Sequence, residues 1–289
     1  MLNRVAVAAA TALLASAAAA PAVHAGTIAP AEVATIAHRG ASAYAPENTL
    51  AAVRWGVEMK ADLVEVDVQQ TKDGQLVVVH DTTLARTTDV AQKFPDRAPW
   101  RIADFTLVEI RTLDAGSWFD PRFAGEPVPT LAEVLDVLER SRSGLLLEAK
   151  EPARYPGVAE RIADELARWP WWVQPDPAER RLVVQSFDWA FIRHLHGLLP
   201  QVRVGVLGAP TLDQLAEVAT YSNQVNPHFS ATTAEYVAAV HRHGMRTNPY
   251  TVDDPATMRT LLDRGVDGII TNRPDVLHAE IHSTVSQPA

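Results

Sequence analysis

The chain has 289 residues, 47% of them hydrophobic and 21% charged, with 20 prolines and a formal net charge of −9. That length and composition suit one large globular domain, and the negative balance disfavours nucleic acid and anionic membrane surfaces as general partners. Cysteine is absent, which excludes thiol catalysis, disulfides and zinc–thiolate sites and leaves stability to packing and hydrogen bonding. At the N-terminus, residues 1–4 carry one positive charge, 5–20 form a small-apolar run broken only by Thr11 and Ser16, and Val23-His24-Ala25 follows Pro21. This is the layout of a secretory signal peptide over 1–25, cleaved before Gly26. Export to an extracellular or periplasmic location is the expectation, with 26–289 as the mature chain. The run is too short and alanine-rich to span a bilayer well, and no later segment reads as a stable membrane insertion.

Hydrophobic runs and helical patterns then alternate. Residues 35–37 form a predicted strand running into His38-Arg39-Gly40, followed by a helix over 49–60. Strands at 62–68 and 75–79 flank Asp73-Gly74, a hairpin-type turn. Thr130-Leu131-Ala132-Glu133 has capping-box spacing and opens a helix through Arg140. A strand at 145–148, a helix over 157–169, a strand at 182–185, a helix over 189–198 and a strand at 202–207 come next. Thr211-Leu212-Asp213-Gln214 is a second capping box, predicting a helix through about Ala219. Residues 222–225 form a weak strand, 233–243 a helix stopped by Gly244, and 245–252 a strand-like run. Asp254-Pro255 caps another helix, and 268–271 is the last strand before Pro274 and a terminal helix. About eight strand–helix repeats predict the α/β class and a closed (β/α)8 TIM barrel, whose chemistry gathers at the C-terminal ends of the strands. The stretch 82–129 breaks the rhythm and reads as an insertion after the second barrel strand, able to cap one side of the mouth.

The candidate chemistry follows from what ends each strand. Glu65 and Asp67 stand two apart on a strand, so both carboxylates face one side. Their neighbours Leu63, Val64, Val66 and Val68 argue against a solvated face, because parallel barrel strands are buried on both faces. Buried carboxylates that share a side need a cation or a proton between them, and an all-oxygen set suits Mg²⁺ or Ca²⁺. Glu148 is placed to complete such a set, with Lys150 beside it for substrate. His38 and His80 end two strands and suit acid–base chemistry near neutral pH. Arg39 offers a fixed cation for a phosphate oxygen. The pairs His194/His196 and His241/His243 fall on predicted helices, where residues two apart do not share a face, and read as structural.

Taken together, His38-Arg39-Gly40, Glu47-Asn48-Thr49, Glu65-Val66-Asp67-Val68 and Val79-His80-Asp81 occur in order within a short span. With 113–119, Glu148-Ala149-Lys150, Gln185-Ser186-Phe187 and 271–275, the set resembles the glycerophosphodiester phosphodiesterase family over about residues 33–278. The resemblance implies hydrolysis of a small-molecule glycerophosphodiester to glycerol 3-phosphate and an alcohol. It implies Glu65, Asp67 and Glu148 as ligands of one divalent cation, Ca²⁺ or Mg²⁺, and His38 and His80 as the general acid and base. Arg39 and Lys150 would contact the phosphate, Glu47 would orient these groups, and Phe187 would line the substrate pocket. The sequence departs from the family's usual tryptophan before the threonine of the seventh-strand motif: Tyr250 stands there, after Asn248-Pro249, as an aromatic wall of different width and polarity. Two alternatives remain at this level. One is a lysophospholipase D or sphingomyelinase D-like enzyme on the same barrel; the other is a non-catalytic phosphodiester-binding protein.

Overall fold

A computed structural model describes residues 33–174 and 181–285; the signal-peptide reading of 1–25 lies outside the described residues. Among the described residues, nine strands form one sheet: β1 (Ala34–Ala37), β2 (Leu63–Gln70), β3 (Leu76–Val78), β4 (Gly144–Ala149), β5 (Leu182–Ser186), β6 (Arg203–Leu207), β7 (Gln224–Asn226), β8 (Arg246–Thr247) and β9 (Gly268–Thr271). Eight of them run parallel in the order β8-β7-β6-β5-β4-β2-β1-β9, with β3 paired antiparallel to β2. No regular ladder joins β8 to β9. Three backbone hydrogen bonds close the circle instead: Asp267 N–H to Thr247 O (3.0 Å), Ile270 N–H to Pro249 O (2.9 Å) and Val252 N–H to Ile270 O (3.0 Å). The expected (β/α)8 barrel is therefore present.

The strand alternation sorts the side chains. Val64, Val66 and Val68 join the large apolar cluster under the helices, whereas Leu63 joins an interior cluster with Ala34, Ile36, Leu146, Val183 and Ile270. Because side chains alternate along a strand, Glu65 and Asp67 take Leu63's side. The interior is thus apolar at one end and acidic at the other. The helix Leu131–Ser141 shows how the outer layer is held: Leu131, Val134, Leu135 and Leu138 form one buried stripe, each leucine contributing about 2 kcal/mol of burial. Its predicted capping box is complete, with Thr130 and Glu133 each bonding the other's backbone N–H.

Two expectations need correction. The second capping box is only half formed: Gln214 Oε1 accepts from Thr211 N–H at 2.9 Å, but the helix is the single turn Leu215–Val218 and takes no side-chain cap. The strand-like run 245–252 shrinks to β8, because Pro249 has no N–H to donate and the Asn248 N–H bonds the Asn226 side chain rather than a neighbouring backbone. The hairpin expected at Asp73-Gly74 is present, and His80 follows β3, its return limb.

The insertion beyond that hairpin has its own apolar cluster, built on Leu84, Ile102, Phe105 and Ile110. β3 is shared: Val77 and Val79 face the insertion's cluster, while Leu76 and Val78 face the main one. Among the described residues no helix is long and apolar enough to cross a membrane.

Candidate active site

Register brings the carboxylates together. Asp67 on β2 lies opposite Glu148 on β4, and Glu65 precedes Asp67 on the same interior face. One oxygen from each of Glu65, Asp67 and Glu148 lies within 4.8 Å of the others. Oxygens on opposite sides of a bound Mg²⁺ or Ca²⁺ are about 4–5 Å apart, so the spacing fits a single ion. Glu65 Oε1 and Asp67 Oδ1 are also buried without any hydrogen-bond donor. Buried carboxylate oxygens are normally satisfied, and a cation is the group that would satisfy both.

The electrostatics of the cluster agree. Burial, then repulsion from Asp67 and Glu148, pushes the Glu65 carboxyl well above its usual range. Glu148 is pushed up to about 7 by burial and then by Asp67, against the opposing pull of Lys150. Burial would raise Asp67 too, but Arg39 and Lys150 outweigh it and hold that carboxyl below its usual value. Lys150 Nζ sits 2.6 Å from Glu148 Oε1 and 3.7 Å from Asp67 Oδ1. Arg39 Nε faces Asp67 Oδ2 at 3.3 Å without a directed hydrogen bond, and Asn48 Nδ2 donates to the same oxygen at 2.8 Å.

The turn after β1 aims Arg39. Its φ of 55° and that of Gly40, 78°, are left-handed, and the Arg39 N–H donates to Glu65 Oε2 at 2.7 Å. A side chain at Gly40 would place Cβ 2.4 Å from the Ala52 carbonyl carbon, so the chain crosses the helix Leu50–Glu58 closely only because that residue is glycine. Arg39 Nη1 then donates to Glu47 Oε1 at 2.8 Å.

Both histidines are held through Nδ1. His38 Nδ1 lies 2.6 Å from Asn272 Oδ1. Burial, then the nearby Arg39 cation, lowers the His38 pKa to about 4, so the ring is neutral at pH 7. His80 Nδ1 lies 2.7 Å from Asp81 Oδ1. Its loop is anchored from below by the buried Gln69, whose Nε2 faces the carbonyls of Val79, His80 and Asp81 at 3.0, 2.9 and 2.6 Å.

The rest of the mouth is aromatic. Phe187 and Tyr250 meet edge-on at 6.0 Å, His228 meets Tyr250 at 5.9 Å, and Lys150 Nζ lies 5.7 Å from the Phe187 ring centre. A cavity of about 230 Å³ opens between Glu148, Lys150, Pro152, Phe187 and Asp188.

The sequence motifs, the barrel and this cluster point the same way. The model of the glycerophosphoryl diester phosphodiesterase family matches residues 38–276. The chain belongs to that family. It is 37% identical to a glycerophosphodiester phosphodiesterase of Bacillus subtilis over 265 residues, 87% of each chain. Among solved structures, it is similar to a glycerophosphodiester phosphodiesterase of Agrobacterium tumefaciens (30% identity, TM-score 0.67), with 84% of this chain and 98% of that one covered. It is also similar to an Oleispira antarctica phosphodiesterase determined in complex with the product sn-glycerol-3-phosphate (28% identity, TM-score 0.74), with 86% and 96% covered.

All ten candidate residues (His38, Arg39, Glu47, Glu65, Asp67, His80, Glu148, Lys150, Phe187 and Tyr250) fall in this one connected group in the family's barrel. Sequence reasoning did not single out Asn48, Gln69, Asp81, His228 and Asn272, which meet or anchor the candidate residues. Asn48, Asp81 and Asn272 lay inside quoted motifs, which was a usable signal; Gln69 continued the interior alternation of β2. Outside the mouth, His194 pairs with Glu160 at 2.7 Å and His241 with Asp267 at 2.8 Å, in keeping with structural roles.

Proposed function

We propose that the chain is a divalent-cation-dependent glycerophosphodiester phosphodiesterase that releases glycerol 3-phosphate and an alcohol, with His38 and His80 as its acid–base pair. The observation that carries the proposal is the pair of donorless buried oxygens on Glu65 and Asp67 beside Glu148. Family membership and the glycerol 3-phosphate bound by the Oleispira antarctica relative support the substrate class.

Glu65, Asp67 and Glu148 would hold Ca²⁺ or Mg²⁺, which supplies charge neutralisation and polarisation of a phosphoryl oxygen when bound. With a divalent ion bound the three carboxylates are ionised, and the ion together with Arg39 and Lys150 would leave this part of the mouth net positive, suited to a singly charged phosphodiester. Arg39 and Lys150 then serve as donors to the phosphoryl oxygens, where charge grows in the transition state. His38 donates from Nδ1 to Asn272, which leaves its Nε2 lone pair as the base for water or a neighbouring glycerol hydroxyl. His80, its Nδ1 held by Asp81, would give a proton from Nε2 to the leaving alcohol. The cavity of about 230 Å³ beside Lys150 and Phe187 has room for a small headgroup. Export rests on the N-terminal pattern, and N-terminal sequencing of the secreted protein tests it.

Separate His38→Ala and His80→Ala variants test the assignment. Each should lose about a hundredfold or more in kcat while binding Ca²⁺ or Mg²⁺ as tightly as the wild type by calorimetry. Near-wild-type turnover in either variant sinks the acid–base pair.

A further inference from the structure

Arg86 lies in the insertion, two residues beyond Leu84, whose side chain is fully buried in the insertion's own core and whose N–H bonds Trp100 O at 2.9 Å. From there its guanidinium reaches back to two carboxylates at once. Nε and Nη2 donate to Asp81 Oδ2 and Oδ1 at 2.7 and 2.9 Å. Nη1 and Nη2 donate to Glu47 Oε2 and Oε1 at 2.8 and 2.7 Å. Asp81 Oδ1 also holds His80 Nδ1, and Glu47 Oε1 also holds Arg39 Nη1. One planar cation therefore fixes the partners of the second histidine and of the phosphate-facing arginine.

We propose that Arg86 is a positioning residue for this reaction, setting His80 through Asp81 and Arg39 through Glu47, and that this is what the insertion contributes to catalysis. The proposal rests on the acid–base reading given above. An exposed ion pair ordinarily contributes little, and the Arg86 side chain is 44% exposed. Two features set it apart. Its contacts form two forked pairs, which fix direction as well as distance. Each carboxylate it grips is already committed to a group at the mouth, so a carboxylate that turns toward solvent takes its histidine or arginine out of line. Without Arg86, among the described residues Glu47 keeps only Arg39 and Asp81 only His80 as side-chain partners, and Asp81, 30% exposed, is free to leave the ring. Lysine at this position offers a point charge rather than a planar fork and cannot grip both carboxylates in the same way.

The test is a kinetic cycle at saturating Mg²⁺ or Ca²⁺ on Arg86→Gln, Arg86→Lys, Asp81→Asn and the Arg86→Gln/Asp81→Asn double variant, with His80→Ala as reference. Arg86→Gln should lower kcat about tenfold to a hundredfold, a share of what a general acid supplies. KM, cation affinity and melting temperature should stay near wild type. The double variant should fall well short of the product of the two single losses, as residues acting through one another do. Millimolar guanidinium should restore part of the Arg86→Gln rate, since the vacated site is open to solvent. Near-wild-type kcat in Arg86→Gln, or fully multiplicative losses in the double variant, overturns the proposal. If Arg86→Gln fails to fold, Arg86→Lys decides: a lower kcat at unchanged melting temperature supports the role, and an unchanged kcat removes it. Full activity in His80→Ala would defeat the acid–base reading and this proposal together, whereas an inactive His80→Ala beside an active Arg86→Gln defeats this proposal alone.

Discussion

His38 and Asn272, 234 positions apart, meet at 2.6 Å through Nδ1 and Oδ1. The amide orientation is forced: Asn272 Nδ2 donates to Asp253 Oδ2 at 2.6 Å and its backbone N–H to Asp253 Oδ1 at 2.8 Å. A carboxylate only accepts, so the amide nitrogen faces Asp253 and the amide oxygen faces the histidine. Ser42 Oγ donates to the same amide oxygen at 2.7 Å. The ring is therefore fixed as the Nδ1–H tautomer.

Asn272→Ala should loosen that ring and leave its tautomer unset. We expect kcat to fall about tenfold to a hundredfold, part of the contribution of a positioned base, with KM and cation affinity little changed. Steady-state kinetics beside calorimetric cation binding check it; an unchanged kcat contradicts the tautomer argument.

Glu148 gives a pH signature in the cation-free protein. Its folded pKa of about 7 lies above the ordinary carboxylate value, so the folded state binds the extra proton between about pH 4.5 and 7 and stability falls as pH rises through that window. Glu148→Gln removes the burden. In excess chelator the variant should melt higher than wild type at pH 8, and the gap should close toward pH 5. Added cation should raise the melting temperature of the wild type more than that of the variant. A gap that widens on acidification contradicts the assigned direction.

Gly40 is a structural bottleneck for the site. Gly40→Ala meets both a φ of 78° and the Ala52 carbonyl carbon at 2.4 Å. The expected cost is about 2 kcal/mol or more of stability, with activity reduced further because the Arg39 N–H leaves Glu65. Chemical denaturation and kcat measure the two effects.

Phe187 and Tyr250 should govern the alcohol and not the chemistry. Phe187→Ala removes the ring beside Lys150 and the cavity, and KM should rise about tenfold, the value of one lost apolar or aromatic contact of about 1.4 kcal/mol. Tyr250→Trp should reorder preference among glycerophosphodiesters with different alcohols. A substrate panel on both variants checks this; equal kcat losses on every substrate would move these residues into the catalytic step.

The sequence made some parts of this site legible and hid others for physical reasons. Two-residue alternation on buried strands exposed Glu65, Asp67 and Glu148 as an interior set, and strand ends exposed His38. The Thr130 box was readable because both partners lie within one helical turn. Arg86 meets Glu47 across 39 positions and Asn272 meets His38 across 234, through loops that carry no periodicity, so no local pattern pairs them. Pro249 cut short the eighth strand, and the barrel's closing hydrogen bonds could be placed only in three dimensions.

Everything proposed for the site turns on cation-dependent release of glycerol 3-phosphate. The direct measurement is glycerol 3-phosphate formed from a panel of glycerophosphodiesters by the purified enzyme, first in excess EDTA and then with Ca²⁺ or Mg²⁺ restored. Cation dependence predicts no release under chelation, recovery with a divalent cation, and no release from Glu65→Gln in either condition. Undiminished release in EDTA, or cation-supported turnover in Glu65→Gln at the wild-type rate, would contradict it.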